Sequence, residues 1–180
     1  TSNLVTGSGT TQITINPTDD LESLTEYYLK IDATAFDDSS GNSYVGISNT
    51  TSLSFTTADT AGPTLTSSLP ADNATLIATD SNIILNFSEA VDVETGYIVI
   101  YKTSDNSVVE TIDITSNQVT GSGTSQITIN PTNDLALSTE YYVKIDASAF
   151  DDSSGNSYAG ISDATSVSYT HLTLPTTYEV

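Results

Sequence analysis

The chain has 180 residues, of which 37% are hydrophobic, and its 23 acidic residues against three lysines give a formal net charge of −20 at pH 7. Such a balance argues against nucleic acids and anionic membranes as partners, because both are bound through clustered lysine and arginine. The absence of cysteine excludes disulfides and thiol chemistry, and no apolar run approaches the roughly 20 residues that a membrane helix needs.

An internal repeat organises the chain. Residues 2–56 return as residues 116–170 without a gap, at an offset of 114, and about three quarters of the positions are identical. A period of this length is too long for a solenoid unit and suits one independent domain. We therefore predict the back half of one domain over residues 1–57, a linker at 58–63, and a complete domain over 59–170 that begins within the linker.

Strands are predicted throughout, because apolar residues alternate with polar ones and Gly and Asn mark frequent turns. Helix is expected only as single turns around residues 133–137 and 147–150. Seven or so short strands separated by turns predict an all-β, two-sheet sandwich with Greek-key connections. In the complete repeat the predicted strands are residues 63–67, 83–87, 97–101, 108–114, 126–130, 140–146 and 166–169.

A corner tyrosine supports the sandwich. Leu135, Thr139 and Tyr141 have the spacing of a strand start at which a tyrosine ring packs inside while its hydroxyl holds the preceding loop. The same spacing runs from Leu21 to Tyr27 in the first copy.

The first copy lacks the strands that residues 83–114 supply to the second. Its core-facing side chains therefore have no complete partner sheet, and we expect open edges and exposed apolar faces, which favour aggregation. The affected side chains are Ile13, Ile15, Tyr27, Leu29 and Ile31.

The repeat ends abruptly after Thr170. Residues 167–176 resemble the in-frame translation of a sequencing-library adaptor, so we predict that residues 171–180 are a non-native tail. The single histidine, His171, falls in this tail and is expected to have no function.

Short motifs follow one another in a characteristic order along the complete repeat. They are Asp59-Thr60-Ala61-Gly62-Pro63, Leu69-Pro70-Ala71-Asp72-Asn73-Ala74-Thr75, Ile84-Leu85-Asn86-Phe87-Ser88-Glu89-Ala90-Val91, Ile129-Asn130-Pro131, Thr139-Glu140-Tyr141-Tyr142 and Ala149-Phe150-Asp151 followed by Gly155-Asn156. In this order and spacing the chain resembles the SbsA-type bacterial Ig-like family of S-layer and large surface or secreted repeat proteins. The resemblance covers residues 59–169 in full and residues 2–57 in part.

The resemblance implies an Ig-like β-sandwich in tandem repeats, without catalytic residues, at the cell surface or outside the cell. It implies a spacer or adhesin-type module that projects a distal domain. Its partners would be the neighbouring repeats of the same chain, with a cell-surface glycan as a further candidate. An alternative function is a carbohydrate-binding module that uses the loop residues Tyr158 and Asn156.

An acidic loop in each repeat is the main candidate metal site. Hard cations such as Ca²⁺ take six to eight oxygen ligands, and a loop with two carboxylates, an amide and free carbonyls can supply several. The loop does not have the EF-hand pattern, and a tight turn closed by its own Asp is the alternative. The candidate ligands are Asp151, Asp152 and Asn156 in the second repeat and Asp37, Asp38 and Asn42 in the first.

Two further arrangements of acidic residues could carry chemistry. Asp59, Glu89 and Asp92 could converge at the junction of two domains and bind an ion there. Hydrolysis by paired carboxylates requires two groups held about 5–10 Å apart across a cleft. The neighbouring Asp151 and Asp152 in a turn do not suit this, so we do not expect an enzyme.

Overall fold

A computed structural model describes residues 4–165 and 167–171 of the chain. These residues form strands and turns, and no helix occurs among them. Accordingly, the described part contains no helix long and apolar enough to cross a membrane. The chain divides between Thr60 and Ala61 into two compact units, which we describe separately.

The first unit contains two short sheets of two strands each. Its strands are β1 (Val5–Thr6), β2 (Thr14–Ile15), β3 (Glu26–Tyr28) and β4 (Ser54–Thr56). β1 pairs antiparallel with β2, and β3 pairs antiparallel with β4. Each sheet has two strands, so one edge of every strand in this unit has no neighbouring strand among the described residues.

The second unit contains ten strands in two five-stranded sheets. They are β5 (Leu65–Leu69), β6 (Ala74–Ile77), β7 (Ile83–Val93), β8 (Tyr97–Lys102), β9 (Val108–Asp113), β10 (Val119–Thr120), β11 (Thr124–Ile129), β12 (Glu140–Ile145), β13 (Phe150–Asp151) and β14 (Ser168–His171). One sheet has the order β10-β11-β7-β13, with β5 also paired to the first half of β7. The other has the order β6-β14-β12-β8-β9, in which β6 and β14 run parallel.

The core of the second unit lies between these two sheets. Alternation along β7 buries Ile83, Leu85 and Phe87, and the facing sheet contributes Val143 and Ile145 from β12. Because the side chains of a strand point alternately to its two faces, this pattern gives each sheet one apolar face to bury. The predicted all-β sandwich is confirmed.

Three short strands and two turns differ from the sequence prediction. The prediction missed β6, β10 and β13, which have only two to four residues each. The predicted single helical turns at residues 133–137 and 147–150 were wrong, since the first segment is irregular and the second is a turn that leads into β13 at Phe150. In the second of them the amide of Ala149 donates to the carbonyl oxygen of Asp146 at 3.1 Å.

The predicted corner tyrosine is present in both units. The hydroxyl oxygen of Tyr141 accepts a hydrogen bond from the backbone N–H of Ala136 at 3.0 Å. The hydroxyl oxygen of Tyr27 accepts one from the backbone N–H of Glu22 at the same distance. In the second unit the ring of Tyr141 is buried, so this residue joins the core to the loop before β12.

The exposed apolar face expected for the first copy is also present. Ile13 and Ile15 are 37% and 41% exposed, whereas their equivalents Ile127 and Ile129 are fully buried. The difference arises because β7 and β8 cover the second copy, and the described residues of the first unit include no corresponding strands.

His171, where the predicted tail begins, is the last residue of β14. Its side chain is buried, and Nδ1 lies 3.2 Å and 3.1 Å from the carbonyl oxygens of Ile77 and Ala78. Residues 172–180 lie outside the described residues, and the non-native origin of the tail stays a prediction.

Candidate functional site

The acidic loop of the second unit begins at the end of β13. Phe150 and Asp151 pair with Val93 and Asp92 at the end of β7, and Asp151 also bridges to Ser157 across the loop. The ring of Phe150 is fully buried, so the core holds the start of the loop in place. The loop is therefore attached to the sandwich at both ends.

The carboxylate of Asp152 closes this loop as a tight turn. Its Oδ1 accepts hydrogen bonds from the backbone N–H groups of Ser154 and Asn156, each at 2.8 Å, and its Oδ2 accepts from the side-chain amide of Asn156 at 2.8 Å. Gly155 has φ 84°, a left-handed conformation that suits glycine. The tight-turn alternative thus describes the geometry that the loop adopts.

The first unit repeats the same turn. Oδ1 of Asp38 accepts from the backbone N–H groups of Ser40 and Asn42 at 2.8 and 2.9 Å, and Oδ2 accepts from the Asn42 amide at 2.8 Å. Gly41 has φ 82°. Because this turn forms in a unit whose apolar face is exposed, its geometry depends on local hydrogen bonds rather than on a complete core.

Hydrogen bonding keeps both turn carboxylates ionised. The Asn156 amide lowers the pKa of Asp152 below its usual value, burial raises this pKa by less, and the backbone donors lower it further. In the same way the Asn42 amide lowers the pKa of Asp38. A carboxylate that accepts several N–H groups is stabilised in its charged form, so both loops are negatively charged at neutral pH.

Asp151 differs from Asp152 in having a carboxylate oxygen with no hydrogen-bond partner among the described residues. Its Oδ1 is buried even though the residue as a whole is only partly buried. Directly opposite on β7 stands Asp92, and like charges in opposite positions of an antiparallel pair destabilise it. A cation bound here would offset the repulsion between Asp151 and Asp92 and would give Oδ1 of Asp151 a partner.

Glu89 is a second acidic neighbour of the loop. A carboxylate oxygen of Glu89 in β7 lies within 4.8 Å of one of Asp152. The sequence analysis assigned Glu89 and Asp92 to a domain junction and not to the loop. Their proximity to Asp151 and Asp152 depends on the pairing of β7 with β13, which are far apart in the sequence. The part of that junction prediction that involves Asp59 stays a prediction.

Tyr158 is a core residue, so the prediction that it binds carbohydrate from a loop was wrong. Its side chain is 6% exposed, and its ring centroid lies 5.2 Å from that of Phe87 and 6.3 Å from that of Phe150. Burial and the charge of Asp163 raise the pKa of the Tyr158 hydroxyl to about 12. Stacking on a sugar requires an accessible ring face, which this residue lacks.

A further polar cluster, which sequence reasoning did not identify, holds β9 against the loop after β11. Glu110 accepts hydrogen bonds from the hydroxyl of Thr132 at 2.6 Å, its backbone N–H at 3.0 Å and the Gln118 amide at 2.8 Å. Burial raises the pKa of Glu110, but the hydrogen bonds from Thr132 and Gln118 outweigh it and the pKa is lowered. These contacts give the cluster a structural role.

Comparison with known protein families identified the family to which the sequence is similar. The sequence profile described as "Bacterial Ig-like domain" matches residues 1–57 and residues 59–171, which together make up most of the chain. Searches of the curated proteins and of the solved structures gave no significant match.

Proposed function

Because the chain belongs to the bacterial Ig-like domain family, we propose that it is a spacer or adhesive module in a large repeat protein of the bacterial cell surface. Domains of this family are typical of surface or secreted bacterial proteins, and Ig-like domains are generally non-catalytic. The finer assignment to the SbsA-type group and to S-layer or adhesin proteins belongs to the same proposal and depends on the motifs from Asp59 to Asn156.

The observation that carries this proposal is that the two repeats share the residues that maintain the fold. Both have the corner tyrosine, and both have the Asp that closes the acidic turn. Both also have a glycine, Gly46 or Gly160, at which a Cβ would lie 2.5 Å from a backbone carbonyl oxygen. Repetition of structural residues suits a protein that multiplies one module to gain length.

Mechanical unfolding tests the spacer role. Stretching the full chain in a single-molecule force experiment should unfold the second unit in one step. The gain in length should be about 36 nm less the end-to-end distance of the folded unit, from roughly 3.4 Å per residue of extended chain over residues 65–171. Gradual extension without a force peak would contradict a load-bearing module.

We further propose that Ca²⁺ binds at the acidic loops and stiffens the module. The candidate ligands are Asp151, Asp152 and Asn156 in the second unit and Asp37, Asp38 and Asn42 in the first. Support comes from the unpartnered oxygen of Asp151 and from the proximity of Glu89 to Asp152. Asp152 already accepts three hydrogen bonds, whereas Oδ1 of Asp151 accepts none among the described residues, so Asp151 is the better source of an additional oxygen ligand.

A thermal melt with calcium and then with chelator tests this proposal. Ligand at 100 times its Kd should stabilise the folded unit by about 2.7 kcal/mol, which raises Tm by about 10–20 °C for a domain of this size. The isosteric changes Asp151→Asn and Glu89→Gln should abolish the shift, whereas Asp134→Asn in another loop should not. If calcium does not change Tm, the proposal is wrong and the loops are turns that bind no calcium.

A further inference from the structure

Three segments of the chain have the form Asn-X-Ser or Asn-X-Thr, and the structure places them in very different surroundings. Such a sequon is the acceptor sequence for attachment of a glycan to the asparagine side chain, and it has to lie in an accessible surface loop. The three sequons begin at Asn49, Asn73 and Asn86. Because all three meet the sequence condition, the fold decides which asparagine a glycosyltransferase can reach.

Asn49 lies in an exposed loop that is held at both ends. Residues 48–53 are exposed, and they connect Ile47, which forms a β-bridge to Ile31, with the start of β4. The equivalent residues 162–165 of the second unit are exposed as well, so the accessibility of this loop does not depend on the apolar face of the first unit. A glycan attached here would extend into solvent without displacing a core side chain.

The side chain of Asn49 forms a turn with the threonine of its own sequon. Its Oδ1 accepts hydrogen bonds from the backbone N–H of Thr51 at 2.9 Å, from the Thr51 hydroxyl at 3.3 Å and from the backbone N–H of Ser52 at 2.7 Å. Its Nδ2 donates to Oγ of Ser52 at 2.8 Å. Hydrogen bonds to the oxygen polarise an amide group, which makes its N–H groups more acidic. This polarisation favours loss of a proton when the nitrogen forms a new bond.

The other two asparagines are tied into the sheets of the second unit. Asn86 lies in β7 between β5 and β11, where its Nδ2 donates to Oγ of Ser67 at 3.0 Å and its Oδ1 accepts from the Gln126 amide at 2.9 Å. Asn73, just before β6, donates its backbone N–H to the carbonyl oxygen of Ser168 at 2.7 Å, and its Oδ1 accepts from the Ser168 hydroxyl at 3.2 Å. Transfer to either asparagine would require these hydrogen bonds to break.

We propose that Asn49 is the acceptor site for an N-linked glycan. The donor is an oligosaccharide carried on a lipid pyrophosphate, together with the membrane transferase that uses it. Nδ2 of Asn49 forms a bond to the anomeric carbon of the sugar, the bond from that carbon to the pyrophosphate oxygen breaks, and Nδ2 loses one proton to the transferase. This modification goes beyond a spacer role. It rests on the proposed function only because a surface or secreted protein meets such transferases during export.

Glycan transfer to the folded full chain tests the proposal. The purified chain would be incubated with an oligosaccharyltransferase and a lipid-pyrophosphate-linked oligosaccharide, with a peptide of residues 44–54 as the positive control. Intact mass and peptide mapping should show one glycan per chain, at Asn49. Asn49→Asp should abolish transfer without unfolding the loop, because Asp163 forms the same turn in the second unit by accepting from the backbone N–H of Thr165 at 2.8 Å. Thr51→Val should also abolish transfer, and Thr51→Ser should preserve it.

The result that would overturn the proposal is equally specific. It would be overturned if the peptide accepts the glycan and the wild-type chain does not, or if transfer survives Asn49→Asp. Either outcome would leave the spacer role untouched, because mechanical unfolding tests that role separately.

The second unit offers a matched gain-of-function variant. Asp163→Asn completes a sequon with Thr165 in the equivalent exposed loop, so it should add a second glycan. Peptides of residues 68–78 and 81–91 should accept glycan at least about 10-fold faster than Asn73 and Asn86 do in the folded chain, because reaction in the chain waits for local opening. If Asn73 or Asn86 reacts as fast as Asn49 in the folded chain, or if Asp163→Asn adds no glycan, the loop does not select the site and the proposal is wrong.

Discussion

At Gly160 the backbone passes so close to a neighbouring strand that a side chain has no space. Its φ is 75°, and a Cβ would lie 2.5 Å from the carbonyl oxygen of Ile145 and 2.8 Å from the amide nitrogen of Ala147. Gly46 has the same surroundings in the first repeat. The fold therefore depends at this position on the absence of a side chain as well as on a left-handed backbone conformation.

Replacing this glycine should destabilise the second unit strongly. We expect Gly160→Ala to lower the free energy of unfolding by more than about 2 kcal/mol, because steric overlap adds to the cost of a positive φ. Gly155→Ala is the matched control: φ is 84°, but no atom lies within 4 Å of its Cβ position, so the cost should stay near about 1 kcal/mol. Urea denaturation measures both, and equal losses would show that only φ matters.

At the scale of elements, the Glu110 cluster links β9 to two loop residues. Glu110 accepts hydrogen bonds from Gln118, just before β10, and from Thr132, just after β11. Its hydrogen bonds lower the pKa of Glu110 in the folded state. A carboxyl group with a depressed folded pKa stabilises the protein above its unfolded pKa. That contribution is lost as the pH falls through the folded pKa. Acid should therefore loosen this connection between strands.

The charge of Glu110 can be removed at constant shape. We expect Glu110→Gln to lower the free energy of unfolding by about 1 kcal/mol at pH 7, a value reduced by partial exposure. The loss should shrink towards pH 3, where the wild-type carboxyl is itself becoming protonated. Unfolding curves between pH 3 and pH 7 measure this, with Glu140→Gln on the exposed side of β12 as the control. A loss that is independent of pH would show that shape, not charge, holds the cluster.

Which elements the sequence predicts depends on their length. Strands such as β7, β8 and β12 bury alternate side chains over five residues or more, so their periodicity is visible without a structure. β6, β10 and β13 are too short for that, and their pairing is decided by their neighbours. The candidate site divides in the same way: the local motif identified Asp151 and Asp152, whereas the proximity of Glu89 required the three-dimensional pairing of β7 with β13.

At the scale of the whole molecule, charge repulsion is a general destabilising force. The net charge is −20, and only three lysines are present to offset it. Two of the three lie over aromatic rings: Lys144 is 5.7 Å from the centroid of Tyr101, and Lys30 is 5.6 Å from that of Tyr28. Few attractive ion pairs are therefore available to be weakened by salt, whereas the repulsion among 23 acidic groups is long-ranged and easily screened.

Salt should consequently stabilise the fold. Raising NaCl from about 0.01 M to about 0.1 M shortens the Debye length from about 30 Å to about 10 Å, and we expect Tm to rise by a few degrees over this range with chelator present. Chelator separates screening from calcium binding, and KCl should act like NaCl because screening depends on ionic strength rather than on the cation. A Tm that falls with salt would mean that attractive pairs outweigh the repulsion. A rise with only one of the two salts would indicate specific binding of its cation.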